Sequence, residues 1–121
     1  MIPPDGRQPG LARAETSIVI EIRTTFASRE AAQACAARLV ADRVAACVQV
    51  DGPLQSTYRW QAAVEQATEY RCTCKTTPAR MQDCTEAIAR IHDYETPEIL
   101  VATVSASAAY AEWVRSSVTL A

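Results

Sequence analysis

A strand-like alternation that passes into a helical pattern is the feature that most constrains this fold. Isoleucine occupies every second position from Ile18 to Ile22, which predicts a half-buried strand over residues 17–25. Ser28 then offers a helix N-cap, and small apolar residues recur at helical spacing over residues 28–43. This second pattern predicts a helix that packs closely on a sheet. The chain therefore begins as a β-α unit.

The later segments extend this unit into a complete sheet. The same reasoning predicts, in order, strands over 44–50 and 54–60 separated by a bend or bulge at 51–53, a turn over 61–66, a strand over 68–76, a helix over 78–91, a strand over 99–104 and a helix over 109–118. The order β-α-β-β-α-β predicts an α+β, ferredoxin-like antiparallel sheet with helices on one face, here with an extra C-terminal helix.

The second and third strands carry apolar residues on both sides of the predicted sheet. The face without helices must then also be covered, and a domain of this size offers no third layer. Because identical subunits favour closed symmetry, we expect a homo-oligomer built as a closed ring of sheets. The alternative is a monomer with an exposed sheet.

Length and composition set the broad class of the protein. The 121 residues fit one domain, placed at residues 17–121 behind a flexible tail at 1–16 that holds three of the six prolines. The net charge of -2 comes without a basic cluster, which argues against a nucleic-acid partner. Neither a transmembrane run nor the apolar core of a secretory signal is present, so we expect no membrane partner and a cytoplasmic protein.

One short loop concentrates the polar chemistry of the chain. It holds the only histidine, His92, together with Asp93, Tyr94, Glu95 and Glu98, and a proline stiffens it before the last strand. Histidine beside carboxylates suits borderline divalent metals or proton transfer near neutral pH. The alternative is a capped helix end whose charges face water.

The five cysteines form an odd set without a framework spacing. In a reducing compartment they are expected to be free thiols that act as small apolar residues. Cys72 and Cys74 are two residues apart on a predicted strand, so both thiols point to the same face. That arrangement suits a soft-metal site, but without a nearby third ligand it is more typical of core packing.

Five stretches of the sequence resemble the CutA divalent-cation tolerance family and follow the family's order. The matching stretches are residues 42–48, 56–60, 74–76, 92–99 and 110–113. The resemblance spans most of the chain and implies a homotrimer of ferredoxin-like subunits whose long hairpins interlock the sheets. It also implies binding of copper and other divalent cations, and a role in the response to metal ions.

A metal site at the polar loop would take a nitrogen from His92 and oxygens from Glu98, Glu95 or Asp93. Mixed nitrogen and oxygen ligation suits Cu(II), Zn(II) or Ni(II), and Cu(II) binds most tightly by intrinsic order. We therefore expect Cu(II) or another divalent cation to bind here, and no organic cofactor.

Three positions depart from the family pattern. The family usually has a proline where this chain has Asp93, and a glycine where it has Ala62 at the hairpin tip. Some members carry a cysteine that can serve as a metal ligand where this chain has Thr24. Without that thiolate the site should be weaker and less selective for soft ions.

The resemblance also leaves a second function open. The family is similar in architecture to trimeric PII-type signalling proteins, whose ligands bind between subunits. A PII-like small-ligand sensor would use a cleft lined by Tyr58, Trp60, Lys75 and Tyr94, suited to a small anionic ligand. The alternative for Tyr58 and Trp60 is that they bury area in the subunit interface.

A catalytic role would make His92 the general base, with Glu98 or Glu95 as the orienting acid. The sequence contains no nucleophile elbow, phosphate loop or closed catalytic metal motif. The resemblance brings no established reaction either. We therefore predict a binding protein that is not an enzyme.

Overall fold

The computed structural model describes residues 17–120. The elements are β1 (Ile18–Phe26), α1 (Arg29–Ala41), β2 (Cys47–Trp60), β3 (Ala63–Thr76), α2 (Met81–Ile91), β4 (Leu100–Ser105) and α3 (Ala108–Val118). The four strands form one antiparallel sheet in the order β2-β3-β1-β4. The predicted α+β fold, with its β-α-β-β-α-β order and final helix, is confirmed. The predicted tail at 1–16 lies outside the described residues.

The link from α1 to β2 is longer than predicted. Arg43 adopts a left-handed φ of 57°, and the N–H groups of Val44 and Ala45 both donate to the Leu39 carbonyl, at 3.1 and 3.3 Å. These bonds close the C-terminal end of α1, so the same groups cannot join a strand ladder. The predicted strand start at residue 44 is therefore wrong, and β2 begins at Cys47.

β2 runs through the predicted bend as one continuous strand. Asp51 pairs with Arg71 and Leu54 pairs with Glu69, so three steps along β2 lie opposite two steps along β3. This is a β-bulge, as predicted. Gly52 lies within it at a φ of 147°, a conformation that glycine adopts without steric cost.

The turn between β2 and β3 is shorter than predicted. Gln61 and Ala62 form a two-residue loop with φ values of 48° and 65°. Two successive positive φ angles are typical of a type I′ hairpin turn, which continues the strand twist. The predicted turn over 61–66 is therefore wrong in length, and β3 begins at Ala63.

Beyond the bulge, the β2–β3 hairpin extends past the rest of the sheet. Residues 54–60 pair with residues 63–69, and β1 pairs with β3 only from Tyr70 onward. Every residue from 57 to 66 is exposed. We call residues 54–69 the hairpin arm. An isolated two-stranded ribbon of this kind is only marginally stable in water.

One face of the sheet packs against α1 and α2, and we call it the helix-covered face. Ile20, Ile22 and Phe26 of β1 point to this side together with Cys72 and Cys74 of β3. The helices supply the opposing side chains, which are Ala32, Cys35 and Leu39 from α1 and Cys84, Ala87 and Ile88 from α2. These residues form the main hydrophobic core.

The opposite face, which we call the open face, differs from the prediction. α3 covers one end of it, where Ala111 and Val114 pack on Val19. The remainder carries polar side chains from three strands, namely Glu21, Arg23, Gln49, Asp51, Arg71 and Lys75. The expectation that the second and third strands are apolar on this face is therefore wrong, since β2 and β3 carry polar side chains here. The expectation of no third layer is also wrong, since α3 forms a partial one.

The start of α2 also differs from the predicted helix at Pro78. Pro78–Arg80 form a short 3-10 turn, and the Thr77 side chain caps it by accepting from the Arg80 N–H at 3.2 Å. α2 itself begins at Met81, and no side chain caps it. None of the helices within residues 17–120 is both long and apolar enough to cross a membrane.

Candidate functional site

The polar loop follows α2 directly, and its histidine turns inward. His92 ends the helix in an extended conformation, and its ring stacks on Phe26 at 4.2 Å between centroids and 11° between planes. Tyr94 covers the ring at 4.6 Å in a tilted arrangement. The side chain of His92 is fully buried. Phe26, the only phenylalanine of the chain, was not anticipated as a neighbour because it lies at the end of β1.

Hydrogen bonds fix the protonation state of His92. Its Nε2 lies 2.7 Å from the Thr25 carbonyl oxygen, and its Nδ1 accepts from the Tyr94 N–H at 3.2 Å. Because a carbonyl only accepts and a backbone N–H only donates, Nε2 carries the proton and Nδ1 carries the lone pair. His92 is therefore a neutral imidazole held between two backbone groups.

The predicted oxygen ligands are all exposed, in contrast to the buried ring of His92. Asp93 Oδ1 lies 3.7 Å from His92 Nδ1, and the Asp93 side chain is 80% exposed. Glu95 and Glu98 are exposed residues of the same loop. Within residues 17–120, no three His, Cys, Asp or Glu side chains form a group that could hold a metal ion. Of the four predicted ligands, the structure brings together His92 and Asp93.

Tyr94 links the loop to the hairpin arm. Its hydroxyl donates to Glu69 Oε2 at 3.2 Å. Burial, the Glu69 carboxylate and the neighbouring Asp93 and Tyr58 raise the pKa of Tyr94 to about 12. Of the predicted cleft residues, Tyr94 and Tyr58 therefore lie near each other. Glu69 was missed, since nothing in its local sequence indicates that the arm meets the loop.

Lys75 lies at the other end of β3 from the arm tip. Its Nζ donates to Gln49 at 3.0 Å and approaches Glu21 at 3.9 Å. Tyr58 pairs with Glu65, ten residues from Lys75, which corresponds to about 33 Å along a strand. One chain alone therefore does not bring Lys75 into a cleft with the predicted aromatic residues.

The other predicted cleft residue, Trp60, lies at the tip of the arm. It is 54% exposed and pairs with Ala63 beside the turn. Thr24, where some family members carry a cysteine, points instead to the helix-covered face opposite Cys72. Its Oγ1 is buried without a hydrogen-bond partner among the described residues.

Comparison with known proteins relates this arrangement to one family. The model of the CutA1 divalent ion tolerance protein matches residues 20–117. A probable divalent-cation tolerance protein CutA homolog of Encephalitozoon cuniculi is 36% identical over 98 residues, covering 80% of this chain and 85% of that protein. The divalent-cation tolerance protein CutA of Thermus thermophilus is 34% identical over 94 residues, covering 77% and 91%. The solved structure of CutA from Synechococcus elongatus has a TM-score of 0.80 at 36% identity, covering 85% of this chain and 92% of that one.

Proposed function

Because this chain belongs to the CutA1 divalent ion tolerance family, we propose that it acts in the response to metal ions by binding a divalent cation. Cu(II) is the ion expected to bind most tightly. The family is named for tolerance to divalent ions and not for a reaction, which supports binding rather than catalysis. We further propose a cytoplasmic location, which cell fractionation tests.

The proposed metal site depends on the protonation state of His92, because this state leaves a lone pair on Nδ1. Its Nε2–H donates to the Thr25 carbonyl at 2.7 Å, which is the kind of bond that orients a metal-binding histidine. Nδ1 keeps its lone pair, and Asp93 Oδ1 lies 3.7 Å away. A cation bound to both atoms replaces the 3.2 Å contact from the Tyr94 N–H. Since the loop must open for this exchange, we expect weak affinity.

Glu95 and Glu98 are the further oxygen ligands in this proposal. Both are exposed on the same loop as His92, so they are free to turn toward an ion when the loop opens. Nitrogen and oxygen ligands together suit Cu(II), Zn(II) and Ni(II). Without a thiolate at Thr24, the site should show little preference for soft ions.

Isothermal titration calorimetry with Cu(II) tests the site, in a Cys47→Ser background that removes the partly exposed thiol. His92→Phe keeps an aromatic ring in the stack but removes both nitrogens, so we expect the copper heat to disappear. Asp93→Asn should weaken binding about tenfold. Glu112→Gln alters an exposed carboxylate on α3 and is the matched control, expected to bind like the parent. Unchanged binding in His92→Phe would refute the site.

We also propose that three copies of the chain associate through their hairpin arms, the number that the family resemblance implies. Trp60 and Val64 are 54% and 64% exposed near the arm tip, and Tyr58 is exposed beside them. A ribbon with ten successive exposed residues is stabilised when such side chains are buried against another copy. The β4 strand exposes Leu100 and Val101 as further apolar surface.

Sedimentation equilibrium in the presence of a chelator tests this assembly. We expect a trimer without metal, because the arms bury apolar surface by themselves. The double variant Trp60→Lys, Val64→Lys should shift the protein toward monomer. Val40→Lys changes an exposed apolar residue of α1 and serves as the control. A stable, folded monomer of the parent protein at working concentration would overturn the proposal.

The alternative function, a PII-like sensor of a small anionic ligand, depends on the same assembly. Since Lys75 and Tyr58 lie at opposite ends of β3 and its hairpin, only a neighbouring copy can bring them to one cleft. Calorimetry in chelator separates the two functions. A metabolite that binds without metal, and fails to bind Lys75→Ala, would favour the sensor.

A further inference from the structure

Tyr94 closes over the lone pair of His92. Its N–H donates to Nδ1 at 3.2 Å, and its ring lies against the imidazole with 4.6 Å between centroids. Phe26 stacks on the same imidazole at 4.2 Å, and Nε2 is bound to the Thr25 carbonyl. The side chain of His92 is 0% exposed. A molecule that is to bind Nδ1 must therefore first displace Tyr94.

The hydroxyl of Tyr94 is held by a residue of the hairpin arm. It donates to Glu69 Oε2 at 3.2 Å, and we call this contact the latch. Glu69 is the last residue of the arm, next to Tyr70, which pairs with Phe26 at the end of β1. The two partners of the latch are 25 residues apart in the sequence. The latch therefore fastens the polar loop to the arm at the place where β1 ends.

Arg29 of α1 fixes the base of the arm close to the latch. Its Nη2 donates to the Gly52 carbonyl at 3.1 Å, and its guanidinium carbon lies 4.9 Å from the centroid of the Tyr70 ring. Gly52 belongs to the bulge at which the arm begins, and Tyr70 directly follows Glu69. The carboxylate of the latch is thus presented to the polar loop from a base that α1 holds in place.

We propose that the latch controls access to the lone pair of His92, so that the hairpin arm regulates binding at the polar loop. With the latch closed, the Tyr94 N–H occupies Nδ1. With the latch open, Tyr94 is free to move away and Nδ1 can bind a partner. What the open loop binds rests on the metal-binding function proposed above, whereas the latch itself is a property of the metal-free protein.

The coupling between arm and loop acts in both directions. A cation that displaces Tyr94 from Nδ1 weakens the latch and loosens the arm, which is a two-stranded ribbon with little support of its own. Conversely, a change that opens the latch raises the affinity for the cation, because binding no longer has to break that hydrogen bond. Tyr94 and Glu69 are therefore positioning residues, which act on binding through His92.

Labelling with diethyl pyrocarbonate measures access to His92 without metal. The reagent acylates a neutral imidazole, and His92 is the only histidine of the chain, so the absorbance of the labelled imidazole reports one site. Tyr94→Phe and Glu69→Ala should each raise the labelling rate about fivefold, since each removes the latch. The double variant should label no faster than either single variant, because both changes remove the same bond.

Matched controls separate the latch from general loosening. Glu69→Gln keeps an oxygen that accepts from the Tyr94 hydroxyl, so its labelling rate should stay near that of the parent. Glu65→Ala makes the alanine change at an exposed position of the arm, and Tyr110→Phe makes the phenylalanine change on α3, where the residue is 38% exposed. Both should label like the parent. Circular dichroism checks each fold, and Tyr94→Phe decides if Glu69→Ala does not fold.

Calorimetry with Cu(II), in the Cys47→Ser background, distinguishes the latch from the metal site. If both proposals hold, Tyr94→Phe and Glu69→Ala should bind Cu(II) about fivefold more tightly than the parent. Faster labelling without any copper binding would support the latch and refute the metal site. Copper binding that His92→Phe abolishes, combined with labelling rates that the latch variants leave unchanged, would overturn the latch and keep the metal site. Equal acceleration in Glu65→Ala and Glu69→Ala would also overturn the latch.

Discussion

The helix-covered face and the hairpin arm include parts of the same strand, β3, yet their surroundings differ. Near β1, Cys72 and Cys74 of β3 are fully buried beneath the helices. In the arm, every residue from 57 to 66 is exposed, including Trp60. The strand pairing is continuous through both regions apart from the bulge. Backbone pairing is therefore common to both, and what distinguishes them is the side-chain cover.

This difference means that the two regions contribute unequally to the stability of the fold. Burying a large apolar side chain contributes about 1.5–3 kcal/mol, and the helix-covered face contains many such residues. The arm relies mainly on its ladder of hydrogen bonds, and a ribbon of two strands is marginal by itself. The domain is thus held together by its core, while the arm presents exposed apolar surface.

The largest expected effect tests whether the core carries the stability. Ile22 is fully buried, whereas Val40 of α1 is 43% exposed. Ile22→Ala should lower the free energy of unfolding by about 2–5 kcal/mol, and Val40→Ala by less than about 1 kcal/mol. Urea unfolding at one fixed protein concentration measures both. Similar losses of unfolding free energy at the two positions would show that burial in the core does not determine the stability.

The next effect concerns the bulge that joins the two regions. A Cβ on Gly52 would lie 2.7 Å from Tyr70 Cδ1 and 2.9 Å from the Glu69 carbonyl oxygen, at a φ of 147°. Gly52→Ala should therefore cost about 1–3 kcal/mol. Gln55→Ala, at an exposed position of the same strand, is the control and should be close to neutral. A Gly52→Ala protein as stable as the parent would show that the bulge tolerates a side chain.

A smaller effect is expected at the turn of the arm. Ala62 has a φ of 65°, a strained value for alanine, so Ala62→Gly should raise the free energy of unfolding by about 1 kcal/mol. Ala63→Gly, one residue later in β3, should instead lower it by about 0.5–1 kcal/mol. Thermal melts compare the pair. Changes in stability of opposite sign support the turn geometry, while a loss of stability in both variants would contradict it.

The smallest effect probes the contact between loop and arm. Tyr94→Phe removes the hydrogen bond to Glu69 and should cost about 1 kcal/mol near neutral pH. The pKa of Tyr94 is raised from 10.0 to about 12, so the phenol's contribution is constant below pH 10 and is lost as pH rises from 10 to 12. The stability gap between parent and variant should therefore narrow over that window. A gap that stays constant up to pH 12 would show that Tyr94 is not perturbed.

The order of the elements could be predicted because it depends on local patterns. Alternation from Ile18 to Ile22 and the N-cap at Ser28 are each readable within a few residues. The bulge was predictable for the same reason, since Gly52 and the proline after it interrupt a strand. The tight turn was not, because Gln61 and Ala62 lack the glycine or asparagine that usually marks a type I′ loop.

The environment of the site was harder to predict because it is assembled from distant segments. The burial of His92 depends on Phe26 and the Thr25 carbonyl, which lie 66 and 67 residues earlier in the chain. The separation of Lys75 from Tyr58 follows from the register of the long hairpin, which a turn placed at 61–66 obscures. The charges of the loop were visible in the sequence, and the partners of its histidine were not.

One extra residue at the bulge determines on which face of the sheet the aromatic residues of the arm lie. Asp51 lies on the open face, and beyond Gly52 the even-numbered Tyr58 and Trp60 take over that side. Because side chains alternate along a strand, one inserted residue exchanges the two sides for everything that follows. If the same residues ran through 51–54 without the bulge, both rings would turn toward the side from which the helices approach. The bulge thus shifts the alternation of side chains by one residue, and it determines which face of the arm carries the two aromatic rings.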